Sequence, residues 1–178
     1  MSKTQRLQRL YDFAEKHPEY AVIGSIADVT DDSGVWGEYP LEEKPRKKTF
    51  YWNSPFAHPT VIMRKDVLDK MGGYREAKET WRHEDYDLFM RMYAGGYKGY
   101  NIQEKLYEYR IVNGNKKYRP MKDRINEAVV RYKGFRRMGI LGVKGVIYVI
   151  KPVIIGIIPQ KLFRFIKKKQ YSFVSSKS

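Results

Sequence analysis

Apolar positions follow two spacings along this chain. Between residues 3 and 16, Leu7, Leu10, Tyr11 and Ala14 recur at the spacing of one helix face, with Arg6, Arg9, Asp12 and Glu15 on other faces. His17-Pro18 ends that pattern, because the residue before a proline is driven out of the α region. Tyr20 to Ala27 (YAVIGSIA) is almost unbroken in apolar and β-forming residues, which predicts a buried strand. Asp31-Asp32-Ser33-Gly34 predicts a turn and Val35 to Tyr39 the returning strand. A charged loop, 40–49, leads to Phe50-Tyr51-Trp52 and Asn53-Ser54-Pro55. Thr60 to Met63 predicts a short strand, and Asp66 to Met71 a brief helix capped by Asp66 and stopped by Gly72-Gly73. Residues 84–94 (EDYDLFMRMYA) give the clearest helix: acidic groups crowd its N-terminus, Leu88, Phe89 and Met92 supply a buried face, and Gly95-Gly96 end it. Tyr97 to Ile102 and Lys105 to Ile111 read as two strands, and 121–137 as a helix. The order implies an α/β body without internal repeats.

At 178 residues the chain has room for one ordinary domain. Its composition, 42% hydrophobic and 31% charged, is that of a globular protein. The absence of cysteine excludes disulfides and thiolate metal sites. The N-terminal decapeptide MSKTQRLQRL has no apolar core of the secretory type. The net charge of +15 is unevenly placed. Residues 1–115 balance 18 Lys and Arg against 18 Asp and Glu, whereas 116–178 carry 17 basic residues against only Asp123 and Glu127. A neutral body with a strongly basic tail implies an anionic partner.

Three stretches, in this order and spacing, carry the chemistry: Arg6 to Ser25, Asn53 to Lys65 (NSPFAHPTVIMRK) followed by Gly72-Gly73-Tyr74, and His83 to Met90 (HEDYDLFM). Together they resemble the C-terminal, acceptor-side part of a family 2 glycosyltransferase of the GT-A type, over roughly residues 5–111. The first stretch looks like the helix and strand that follow that family's metal-binding Asp-x-Asp, the second like its N-P-F-x-H-P-T strand, and the third like its Glu-Asp motif. The resemblance implies a partial GT-A-like mixed sheet with flanking helices in residues 1–115, and inverting transfer from a nucleotide-sugar to a lipid-linked or polysaccharide acceptor. It implies Asp85 as the base that takes the proton of the acceptor hydroxyl, with Glu84 beside it. His58, Arg82, Trp81 and Asn53 are the further candidates for substrate contact. Local pattern alone also allows capping for Glu84 and Asp85, a turn-shaping role for His58, and packing for Trp52 and Trp81.

Asp85-Tyr86-Asp87 matches Asp-x-Asp literally, but on a helix two residues so spaced point about 200° apart and cannot clamp one ion. No metal site is assigned within this chain; Mg²⁺ or Mn²⁺ is expected of a complete family member. The family's nucleotide-binding half and its Asp-x-Asp have no counterpart here. The chain alone is therefore expected to be inactive, and the strand at 20–27 to present an unpaired edge.

Residues 138–166 (MGILGVKGVIYVIKPVIIGIIPQKLFRFI) are apolar and basic by turns. The best window for a membrane span, 139–158, contains Lys144, Lys151 and Pro152, and each lysine near a bilayer centre costs roughly 2.5–3.5 kcal/mol. Basic groups flank it on both sides, from Arg131 to Arg137 and from Lys161 to Lys169. The segment 116–178 thus reads as basic amphipathic helices, with 130–169 lying on an anionic membrane surface at the cytoplasmic face. A pair of helices packed on the body is the other reading. Nucleic acid is not expected, because the residues between the charges are aliphatic rather than base-stacking aromatics. A non-catalytic, membrane-associated remnant or accessory module is the alternative function, and a basic nucleic-acid-binding protein the more distant one.

Overall fold

A computed structural model of the chain describes residues 1–110 and 119–157. Ile111 of the last expected strand and the basic residues from Lys161 to Lys169 lie outside the described residues. The elements are α1 (Arg6–Lys16), β1 (Tyr20–Asp31), β2 (Gly34–Tyr39), β3 (Ile62–Met63), α2 (Lys65–Lys70), α3 (Glu84–Ala94), β4 (Lys98–Arg110), α4 (Met121–Arg137) and α5 (Val143–Ile157).

β1 is the central strand, because its side chains alternate between two cores. Val22 joins Phe50, Phe56 and Phe89 on one face, and Ile23 joins Leu10 and Ile102 on the other. Burial on both faces explains the unbroken apolar sequence. β1 runs parallel to β4 along its whole length and antiparallel to β3 at Val22 and Ile23 and to β2 at Ala27 to Asp31. The result is an open, mixed, four-stranded α/β sheet with flanking helices, as expected. The unpaired edge expected at residues 20–27 is corrected: Val22 pairs with Met63 on one side and Gly99 on the other. A Cβ at Gly99 would stand 2.4 Å from the Phe56 ring, so only glycine lets Phe56 wedge against the sheet there.

Three local expectations change. The short strand is only Ile62–Met63, because Pro59 opens a 3-10 turn over His58–Thr60 that the Thr60 hydroxyl closes onto the Ala57 carbonyl at 2.8 Å. Asp66 does not cap α2: Arg64 occupies the cap position, and Asp66 lies in the first turn, paired with the Arg64 guanidinium at 3.2 Å. The two strands expected at 97–111 are one strand, β4, whose register against β1 jumps from Ser25↔Ile102 to Ile26↔Lys105. The break read from sequence is that bulge.

α3 is buried nearly all round, and its Asp87 is 2% exposed. Arg75 reaches one oxygen of Asp87 at 3.0 Å and Arg91 the other at 2.8 Å. Arg91 also donates to the carbonyls of Met71 and Gly73, where Gly72 and Gly73 both take left-handed φ values, +69° and +66°. Arg75 continues to Glu79 at 2.8 Å, and Lys133 of α4 meets the same carboxylate at 2.7 Å. α4 sets Val130 and Phe135 into the core on α3, with Gly134 so close to Met90 that a Cβ would fall 2.1 Å from its sulfur. α5 packs on α4 and on the aromatic run, where Tyr148 stacks on Tyr51 at 5.3 Å.

Asp87→Ala strands two guanidinium groups and is expected to lower unfolding free energy by roughly 3–5 kcal/mol, whereas Asp85→Ala costs about 1 kcal/mol or less. Urea denaturation of the two variants measures the difference. Lys133 and Arg75 hold the Glu79 carboxyl down at about 2 against an ordinary 4.5. Its contribution to stability is complete above about pH 4.5 and is lost as pH falls toward 2. Melting temperature should therefore decline through that window, and more shallowly in Glu79→Gln.

Candidate active site

Four pieces of chain meet at the start of α3: the loop at Asn53-Ser54, the turn carrying His58, the loop from Tyr74 to His83, and the first turn of α3 itself. Two hollows open there, the smaller also walled by Tyr39 of β2, Tyr109 of β4, Arg119, and Glu127 of α4. The larger groove, about 930 Å³, is lined by His58, Tyr74, Trp81, Arg82, Glu84 and Asp85 among others. A smaller polar cavity of about 220 Å³ has Asn53, His58, Arg82, His83, Asp85 and Arg119 in its wall. His58, Arg82 and Asp85 border both.

Asp85 stands in the first turn of α3, where the helix dipole favours negative charge. One of its oxygens accepts from the Tyr86 amide at 2.8 Å. Asp87, two residues on, points into the protein toward Arg75 and Arg91, the opposed placement that helical geometry demands. Tyr86 is anchored behind Asp85: its hydroxyl donates to the Phe50 carbonyl, and the buried Arg131 lies over its ring at 5.2 Å.

Glu84 lines the groove, but its carboxylate also folds back to accept from the Arg82 amide at 3.0 Å. It thus tethers the residue that enters the helix. Arg82 has φ +69°, a left-handed conformation that costs a non-glycine residue roughly 1–2 kcal/mol. Such strain clusters at functional sites. Its guanidinium reaches Asp123 of α4 at 3.5 Å. His58 shares a 2.7 Å hydrogen bond with the Tyr74 hydroxyl. Burial, and then the charge of Asp85, hold that phenol above the usual tyrosine range, so it remains a proton donor. Trp81 stands at the groove rim with 69% of its surface exposed, a flat apolar face turned to solvent. Asn53 lies in the smaller cavity only. Trp52 is not part of either hollow; it packs against Lys151 and Tyr148 of α5.

The structure thus brings together all six candidate residues. Among the lining residues that the sequence did not single out are Tyr74, His83 and Arg119. Tyr74 and His83 stood inside the quoted motifs, as the tyrosine of Gly-Gly-Tyr and the residue before Glu-Asp. Arg119 carried no local signal. His83 is buried, with Nε2 lacking a hydrogen-bond partner among the described residues. Burial lowers its affinity for a proton, so the ring is neutral at pH 7.

Among the described residues no three carboxylate or imidazole groups converge as a metal site, and Asp87 is committed to two arginines. The described residues here do not fit a divalent ion. What the arrangement supplies is a carboxylate at the junction of two hollows, beside an imidazole, a phenol and a guanidinium. Such a group can take a proton from a hydroxyl held in either hollow.

No protein-family model matches the chain. Relatives are found among curated proteins. EpsE of Bacillus subtilis, which carries a glycosyltransferase name, is 34% identical over 170 residues, covering 96% of this chain and 61% of its own length. An Escherichia coli UDP-Gal:alpha-D-GlcNAc-diphosphoundecaprenol beta-1,3-galactosyltransferase is 26% identical over 174 residues, covering 95% of this chain and 62% of its own length. The O-antigen biosynthesis glycosyltransferase WbnJ of Escherichia coli is 37% identical over 113 residues, 61% of this chain and 42% of its own length. The chain is thus similar over nearly its whole length to EpsE and to the galactosyltransferase, and over 61% of it to an O-antigen biosynthesis glycosyltransferase; it spans about three-fifths of the length of the first two of these curated relatives.

Proposed function

We propose that this chain is the acceptor-side, C-terminal part of an inverting family 2 glycosyltransferase of the GT-A type. In this reading it moves a sugar from a nucleotide-sugar to a lipid-linked or polysaccharide acceptor at the cytoplasmic face of a membrane. The observation that carries the reading is the position of Asp85: its side chain borders both the larger groove and the smaller polar cavity. Transfer needs such a carboxylate, with the acceptor hydroxyl on one side and the anomeric carbon of the donor on the other.

The step follows from that placement. The acceptor hydroxyl oxygen attacks the anomeric carbon and forms the new glycosidic bond. Its proton passes to the Asp85 carboxylate, and the bond to the diphosphate breaks with its electron pair leaving on the nucleoside diphosphate. Attack opposite the leaving group inverts the centre. The exposed indole of Trp81 offers a platform for a sugar ring of the acceptor. His58, Arg82 and Asn53 line the walls that face the donor side. Glu84 holds the entry to the helix and so directs Asp85.

Residues 1–115 form the acceptor-side part in this reading, and 116–178 the segment that meets the membrane through 130–169. The name of one relative specifies UDP-galactose and a sugar on diphosphoundecaprenol; a nucleotide-sugar and a polyprenol-diphosphate-linked sugar are the substrate class we assign. The nucleotide-binding part and its Mg²⁺ or Mn²⁺ belong to the remainder of a complete enzyme.

The 178-residue chain alone is expected to give no turnover with sugar nucleotides and Mn²⁺ or Mg²⁺, measured by release of nucleoside diphosphate. Turnover that disappears in Asp85→Asn would overturn the view that the nucleotide-binding part is needed. With that part supplied, in one polypeptide or as a separate chain, Asp85→Asn should lower kcat by about 10²–10⁴ and leave acceptor KM within a few-fold. A kcat unchanged by that substitution would remove Asp85 from the role of base.

A further inference from the structure

We propose that one face of α5, the line Val143, Ile147, Ile150, Ile154 and Ile157, is the surface that enters an anionic lipid bilayer, lying along it rather than across it. This rests on the membrane reading of residues 130–169 and names the face that makes the contact.

The five positions step by four, three, four and three, so they form a single stripe along the helix. They are 84, 60, 47, 53 and 70% exposed, a row of branched aliphatic side chains turned away from the protein. The opposite side of α5 faces the protein, with Gly145, Pro152 and Gly156 buried and Tyr148 and Val149 packed against the core. A Cβ at Gly145 would meet the Ile140 carbonyl at 2.4 Å, and one at Gly156 would meet Met121 at 3.1 Å. The outward stripe is thus apolar throughout, where a helix adapted to water carries polar residues. Pro152 lies within α5, on that inner side.

Charge is removed from the stripe in two ways. α5 has no acidic residue. Of its two lysines, Lys144 is exposed at one edge of the stripe, and Lys151 is drawn inward, donating to the Trp52 carbonyl at 2.8 Å with its ammonium 3.6 Å from the indole centroid. The penalty that Lys151 would impose on lipid contact is thereby avoided. The 15 described residues of α5 extend about 22 Å along its axis. Among the described residues no helix is long and apolar enough to cross a membrane. A helix packed on the body along one face and apolar along the exposed one suits the interface.

The surrounding charge selects the occupant. Lys122, Arg136, Arg137 and Lys144 are exposed on α4 and α5. The two acidic groups of the tail are already paired, Asp123 with Arg82 and Glu127 with Arg119 and Arg131. A second copy of the chain would bring two positive surfaces together, whereas anionic headgroups complement them. The Lys151–Trp52 contact also ties α5 to the residue before Asn53, in the wall of the smaller cavity. The lipid-facing helix and the site are thus joined directly.

Sedimentation of the full chain with vesicles tests this, using phosphatidylcholine with about one-third phosphatidylserine against phosphatidylcholine alone at low salt. Wild type should pellet with the anionic vesicles, and Ile150→Glu/Ile154→Glu should reduce its partition at least about tenfold. Leu7→Glu, at an exposed position of α1, should leave it unchanged. Ile150→Ser/Ile154→Ser shifts it in the same direction and serves if the charged pair lowers the melting temperature. Wild type that ignores anionic vesicles defeats the membrane reading of 130–169 itself. Wild type that binds as well as a folded double variant defeats only the assignment of this face. A dimer abolished by the double variant, with vesicle binding intact, would give the stripe to a second copy and overturn the inference.

Discussion

The buried carboxylate of Asp87 is the constraint on which the site depends. Between Arg75 and Arg91 it forms a three-membered ionic cluster in a nearly dry setting. An unpaired charge there would be strongly destabilising, so these partners cannot be separated without unfolding the region. Arg91 carries the constraint to the glycine turn after α2, and Arg75 carries it through Glu79 to Lys133 on α4. The loop from Tyr74 to His83 is thereby fixed at its first half to α3 and at its middle to α4. With Asp87 turned inward, helical geometry leaves Asp85 only the opposite direction, toward the two hollows.

A second set of contacts decides what the basic tail becomes. Arg131 is 2% exposed and is satisfied by Glu127, the Tyr51 carbonyl and the face of Tyr86. One cation thus bridges α4, the aromatic run and the residue behind Asp85. Tyr51 continues outward, donating to the Ile140 carbonyl at 2.6 Å and stacking on Tyr148. Trp52 receives Lys151. Cations that look like surface charge in a list of residues are in part structural, and those that remain outside surround the apolar stripe of α5.

Much of the fold was legible because the local signals were strong and mutually consistent. The helices at 84–94 and 121–137 appear with the expected limits, since their apolar periodicity, acidic starts and flanking glycines or prolines agree. The turn at Asp31 to Gly34 formed as read, with Asp31 accepting from the Ser33 amide at 2.8 Å. Misreadings arose where a local preference was outweighed. Asp66 is a good cap by residue type, yet the chain entering from β3 put Arg64 at that position. Thr60 is a good strand residue, yet Pro59 and its own hydroxyl made a 3-10 turn.

The sequence by itself determined which residues are candidates for the site and which segments are apolar. Residue type and short-range spacing set both, and Asn53, His58, Trp81, Arg82, Glu84 and Asp85 all reach the same pair of hollows. Only the tertiary structure decided direction and partnership. Whether β1 is an edge or a centre depends on strands 30 to 80 residues away. Which of two aspartates faces the groove depends on arginines 12 residues before and 4 after. Which side of α5 faces outward depends on where α4 and Trp52 lie. These are choices made by packing and by the cost of burying charge, and no local pattern encodes them.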